Sequence, residues 1–277
     1  MQAAIPVHIP FSVAGLLGSA LAIFLAFRNN NAYNRWWEAR TTWGNIINQS
    51  RILARQLIAN TEFAVQTNKA SAEIIQQYQT ELIFRQIAFA HTLRLQLRKQ
   101  TDWQVLKPFL AEPEWNSLQT KQNPANWLLL TQARRIKDGI RLEYLGGFDN
   151  ISLEPGLASL NQFQGACERI KTTPLLRQYH FFTKLFLFAF MIVLPAALIA
   201  DFQKAGMAVW MIPTSVLISF VFSVMGKVGE VNEDPFENQI TDVPLTAHCN
   251  TIERDLLEML GKQAIPPKME PENGFLF

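Results

Sequence analysis

Three stretches of this chain are long and nearly free of charge, and they constrain its fold more than anything else. Residues 10–27 run eighteen positions without a charged side chain, residues 205–226 run twenty-two, and residues 181–200 run twenty with Lys184 as their one charge. A helix crossing a bilayer needs about 20 predominantly apolar residues, and lipid leaves a lone segment no other way to satisfy its backbone. The alternative is three buried helices of a soluble core, which a chain of 277 residues is long enough to build. Charged residues are only 17% of the sequence, below the roughly 25% usual in soluble domains. The membrane reading is therefore the stronger one.

The spacing between the runs sets a topology. Residues 201–204 alone separate the second run from the third, which forces an antiparallel hairpin. Arg28, Arg35, Arg40, Arg51 and Arg55 follow the first run, against the single Glu38. Arg169, Lys171 and Arg177 precede the second run, and Lys227 follows the third. Cations gather on the cytoplasmic side of spans. The expected layout is a span at 10–27, a cytoplasmic helical region at 28–180, a membrane hairpin at 181–226 and a C-terminal cytoplasmic segment at 227–277. The 201–204 turn then faces outward. Such a chain is multi-pass in the inner (plasma) membrane with its bulk in the cytoplasm.

Outside the spans the pattern is helical. Residues 71–100 carry Ile75, Leu82, Ile83, Ile87, Ala90, Leu93 and Leu97 near a 3.6 period. Residues 33–61 lack proline and read as a long helix. Pro108, Pro113 and Pro124 break residues 102–126 into turns and a short helix. Further helices are expected at 127–144, ended by Gly146 and Gly147, at 157–171, and at 244–260, ended by Gly261. No alternating strand pattern and no internal repeat stands out. The predicted fold class is all-α.

Several function classes find no support. A formal net charge of +2 offers no basic field for nucleic acid. Cys167 and Cys249 lie far apart, with neither zinc-ligand nor disulfide spacing. His8, His91, His180 and His248 are scattered, and none is assigned a role. Phosphate-loop, nucleophile-elbow and dinucleotide motifs are missing from the sequence. Residues 1–9 lack the basic start of a secretory signal.

The first span has two faces. Gly18, Ala22 and Ala26 recur every four residues, a spacing that lets helix backbones approach closely. Ser19, Ile23 and Phe27 form the neighbouring stripe. Ordinary packing explains that stripe; a narrow apolar wall that gates by dewetting is the other reading. From Phe27 to Arg28 the character changes abruptly, and Trp36 and Trp37 follow with the amphipathic rings that favour a membrane–water boundary.

Four segments carry a resemblance. AIFLAFRNNNAYNRWWEARTTWG at 22–44, RLQLRK at 94–99, GACERIKTTPL at 165–175 and EDPFENQITDVPLTAHCNTIERDLL at 233–257 together resemble the prokaryotic members of the bestrophin family. The resemblance implies a homopentameric ion channel with four membrane helices per subunit and a helical cytoplasmic region around a central pore. Its partners would be further copies of itself, the lipid membrane and small monovalent ions. The family's pore neck falls on Ser19, Ile23 and Phe27, with Ser19 where relatives carry a larger aliphatic residue. A cytosolic constriction falls on or near Phe148. Relatives have one membrane helix upstream of the neck helix, so the expectation here is a chain lacking it.

Animal bestrophins bind calcium in the segment matching residues 230–242. Asp234 and Asp242 remain as candidate metal ligands, while Val231 and Gln239 depart from the pattern. The more economical reading is that these acids cap helices and pair with Arg28, Arg35 or Arg40, and no cofactor is then required. Chloride is slightly favoured as the permeant ion, with sodium as the alternative. A non-conducting membrane scaffold is the competing function. A membrane enzyme using these acids with a metal is a remote third, so the chain is read as no enzyme.

Overall fold

The computed structural model describes residues 9–175 and 177–276, with the backbone alone at Arg177. Among these residues there are eight α-helices: α1 Phe11–Gln66, α2 Ala72–Leu97, α3 Glu112–Leu118, α4 Pro124–Arg141, α5 Asp149–Thr172, α6 Arg177–Lys204, α7 Met211–Val231 and α8 Leu245–Met259. Short 3-10 turns at Trp103–Leu106 and Ala208–Trp210 complete the helical content. Two described residues, Glu272 and Phe275, share an isolated bridge, and no strand is present among the described residues. The fold is all-α. The chain divides into two compact units, Met1–Trp37 with Thr173–Asp234, and Glu38–Thr172 with Pro235–Phe277.

The first unit holds the start of α1 together with α6 and α7. Three helices, Phe11–Gln66, Gln178–Lys204 and Ala208–Val231, are long and apolar enough to cross a membrane. Ala14, Leu21 and Leu25 of α1 pack with Phe190, Leu194, Ala197 and Leu198 of α6, and Phe190 meets Phe222 of α7 at 4.9 Å between ring centroids. Between spanning helices lipid is as apolar as the partner, so the gain comes from close packing. Gly18 supplies it: a Cβ there would sit 3.0 Å from the Phe190 ring. Of the expected small-residue stripe only Gly18 makes this approach, and Ala26 is exposed. The buried stripe is instead set by Ala14, Leu21 and Leu25.

The α6–α7 connection lies later than the sequence led us to expect. Residues 201–204 are helical and the chain turns at 205–207, where Met207 N–H donates to the Phe202 carbonyl at 2.9 Å and Gly206 adopts φ +70°. Asp201 and Lys204 looked like a break, but polar residues continue a helix readily. The stop is the glycine that takes the left-handed conformation. Pro213 is the third residue of α7, where its missing N–H has no helical partner to lose.

In the second unit α2 is the central rod, packed chiefly against α4 and α8. Leu82, Ile83, Ile87, Phe89 and Leu93 are wholly or almost wholly buried. Arg85 is buried with them, and its guanidinium reaches Glu114 at 2.6 Å, Glu81 at 3.0 Å and Gln132 at 3.2 Å. A charge so enclosed survives only when several partners replace its water. Gly139 of α4 passes so close to Tyr78 that a Cβ would lie 2.1 Å from the phenol oxygen. That hydroxyl donates to the Arg135 carbonyl at 3.0 Å. Arg51 pairs with Asp255 of α8 at 2.5 Å.

Two boundaries in this unit correct the expectation. Helix α5 begins at Asp149, eight residues before 157, and accepts Pro155 inside it. Helix α4 ends at Arg141, and Glu143 rather than Gly146 or Gly147 adopts the left-handed backbone with φ 59°. Tyr144 N–H then closes onto the Gly139 carbonyl at 2.8 Å.

Candidate functional site

The candidate site is the outward face of the first half of α1. With 3.6 residues per turn, Ser19, Ile23 and Phe27 align on one stripe, opposite the stripe that Ala14, Leu21 and Leu25 bury. Ile23 is 59% and Phe27 64% exposed. Ser19 is also exposed, and its hydroxyl donates to the Gly15 carbonyl at 2.9 Å, one turn back. That bond occupies the hydroxyl hydrogen and leaves the oxygen's lone pairs facing outward. The stripe thus offers one weakly polar level followed by two bulky apolar ones, spaced about 6 Å apart along the axis.

Directly after Phe27 the helix is anchored by charge. Arg28 is 3% exposed, and its Nη2 donates to His180 Nδ1 at 3.1 Å and to Glu233 at 3.4 Å. Arginine has no acceptor, so His180 Nδ1 carries the lone pair and Nε2 the hydrogen in this arrangement. These three residues, with Asn31, Leu175 and Tyr179, line a cavity of about 200 Å³. One residue on, Asn29 donates through Nδ2 to the Met225 carbonyl at 3.0 Å. Its Oδ1 packs on Gly229, where a Cβ would lie only 2.2 Å away. The small residue on α7 is what lets α1 approach there. Arg35 donates to the Thr173 carbonyl at 2.5 Å and pairs with Asp234 at 3.7 Å.

The pairing of Arg28 and Arg35 with acids after α7 follows the sequence expectation. The part played by His180 was not read from the sequence. Arg28 and His180 are 152 positions apart, and no spacing motif links residues that only tertiary packing joins. Tyr33, Trp36 and Trp37 form a stacked cluster with centroids 6.4–6.5 Å apart, with Trp37 55% exposed. Amphipathic rings in this state suit a headgroup boundary.

Phe148 lies in the other unit, immediately before α5, and is 84% exposed. Asp149 beside it accepts the Gly146 N–H at 2.6 Å, which fixes the turn that presents the ring. Asp234 and Asp242 are engaged in different ways. Asp234 faces Arg35, whereas Asp242 is 6% exposed and its Oδ2 accepts the Gln239 N–H at 3.1 Å. Burial raises the Asp242 pKa, while N–H groups of Gln239, Glu237 and Asn238 pull it back. Among the described residues no group of three or more His, Cys, Asp or Glu side chains converges as a metal site.

Comparisons with known proteins bear on the family and the fold. The family model described as bacterial/fungal bestrophin protein matches residues 1–258. The voltage-dependent anion channel-forming protein YneE of Escherichia coli K12 is 36% identical over 267 residues, covering 96% of this chain and 81% of the relative. Protein mll4386 of Mesorhizobium japonicum, named in the same way, is 33% identical over 95% of this chain and 79% of its own length. The crystal structure of a bacterial bestrophin homologue from Klebsiella pneumoniae superposes with a TM-score of 0.82 at 32% identity, covering 93% of this chain and 90% of that one. A match across the whole fold, three helices of spanning length and the four motif segments converge on one assignment: the chain is a membrane protein and belongs to the bestrophin family.

Proposed function

We propose that this chain is the subunit of an ion channel: a homopentamer whose α1 helices surround a pore with Ser19, Ile23 and Phe27 as its neck. The observation that carries the reading is the asymmetry of α1. One face is packed on α6, while Ile23 and Phe27 stand 59% and 64% exposed on the face away from it. Bulky apolar residues around an axis make a constriction that dries easily and so controls passage without moving charge. Phe148 would form a second constriction on the cytoplasmic side, with the bulk of the chain in the cytoplasm and the spans in the inner membrane. The names of the relatives support an anion as the permeant ion, and chloride is favoured over sodium. The protein conducts ions down their gradient, makes or breaks no covalent bond, and needs no cofactor for it.

Planar-bilayer recording of the purified protein under a NaCl gradient tests this. The expected reversal potential lies near that of chloride, and a value near that of sodium would replace the anion assignment. Ile23→Ala and Phe27→Ala should enlarge the current by wetting the neck. A wild-type protein that is folded and assembled but silent, with both variants silent as well, would leave a membrane scaffold as the function.

A further inference from the structure

The stripe that ends in Phe27 does not stop at the neck. Continuing α1 at 100° per residue places Asn30 and Asn34 on the same angular sector as Ser19, Ile23 and Phe27. Both are exposed. They lie about 4.5 Å and 10.5 Å further along the axis than Phe27. Their neighbours behave differently: Asn29 is turned inward onto Met225, and Asn31 lines the cavity beside Arg28. Among the described residues neither the Asn30 nor the Asn34 side chain has a hydrogen-bond partner beyond the helix backbone it stands on. Asparagine in a helix interior costs about 0.5–0.7 kcal/mol relative to alanine, so local stability does not account for two of them here.

We propose that Asn30 and Asn34 form the ion-binding exit of the neck, two rings of uncharged amides that receive a partly dehydrated monovalent ion as it leaves Phe27. The inference rests on the pore reading of α1. An ion in an apolar neck has lost part of its hydration shell and must regain polar partners at the first opportunity. A primary amide suits either sign, because its NH₂ donates to an anion and its carbonyl accepts a cation. The charged groups nearby are held away from this face: Arg28 is buried against Glu233 and His180, and Arg35 is engaged with Thr173 and Asp234. The first polar atoms an ion meets below Phe27 are therefore the amides. They carry no net charge, so the selectivity they impose is weak and easily redirected.

The test is the permeability ratio of sodium to chloride, read from reversal potentials in planar bilayers for the full chain and four variants. Asn30→Asp and Asn34→Asp should raise the ratio at least about threefold by placing a ring of carboxylates at the exit. Asn30→Lys and Asn34→Lys should lower it by a similar factor. Aspartate is nearly isosteric with asparagine and both sites are exposed, so the fold should be kept; elution at the wild-type size verifies assembly. Ile23→Ala in the same preparation separates this proposal from the pore reading beneath it. A current that responds to Ile23→Ala, with ratios unchanged in all four charge variants, overturns the amide rings and leaves the neck standing. Silence from the wild type and from Ile23→Ala overturns both.

Discussion

Gly229→Ala offers a sharp test because two physical effects oppose each other there. In a helix, alanine is favoured over glycine by about 1 kcal/mol, so propensity alone predicts a more stable protein. The structure predicts the reverse. A Cβ at Gly229 would lie 2.2 Å from Asn29 Oδ1, against 3.4 Å for ordinary contact, so the amide must retreat by about 1.2 Å. Asn29 is short, and that movement breaks its 3.0 Å bond to the Met225 carbonyl. The Met225 carbonyl keeps its own helical partner, but leaving the Asn29 amide donor unpaired in this part-buried contact costs about 1–3 kcal/mol. The net effect is destabilisation by up to about 2 kcal/mol, seen as a lower apparent Tm in detergent. With Asn29→Ala as background the obstacle is gone, and adding Gly229→Ala should then stabilise by up to about 1 kcal/mol. The sign of one substitution reverses with the identity of residue 29. The same sign in both backgrounds would refute the close approach of α1 and α7 as the reason for this glycine.

Two other perturbations have defined outcomes. Arg85→Met strands Glu114 of α3, whose largely buried carboxylate lies 2.6 Å from the guanidinium; a loss of about 3–5 kcal/mol is expected, and an unchanged Tm would contradict the burial of that cluster. His248 is held neutral, its pKa lowered to about 4 by burial and by Arg40. Its unfolded value is about 6.5, so the unfolded chain binds the extra proton first. Stability should fall from about pH 6.5 down to about 4, by roughly 3 kcal/mol at most. A Tm-against-pH series on wild type and His248→Gln reads this out, and an equal acid slope in both would sink the assignment.

Much of the architecture was legible because it follows from chemistry local in sequence. Uncharged runs of spanning length gave the three apolar helices, and the period of Leu82, Ile83, Ile87 and Leu93 gave α2 with its buried sides. Gly261 ended α8 as expected, with φ +69°. Errors arose where a local signal had two meanings. The helix expected at 157–171 in fact begins at Asp149 and runs through Pro155, and the glycines after α4 were credited with a reversal that Glu143 makes. The stripe of Ser19, Ile23 and Phe27 was visible from spacing alone. The anchor beside it was not, since Arg28, His180 and Glu233 come from three distant segments. Neither were the opposite fates of Asn29 and Asn30, adjacent residues of one type that differ only in which way the helix turns them.

The adjacency of Phe27 and Arg28 limits how such a neck could open. Side-chain tips lie about 5–6 Å from a helix axis, so rotating α1 by 30° would carry the guanidinium through an arc of about 3 Å. That displacement exceeds what its bonds to His180 and Glu233 at 3.1 and 3.4 Å can tolerate. Turning the helix would strip a buried cation of both partners. Swinging the Phe27 ring about its own χ1 disturbs none of them, and exposed rings change rotamer within nanoseconds. In a pore of the kind proposed, the backbone of α1 would be pinned at the level of Phe27, and the part left free to move would be that aromatic side chain.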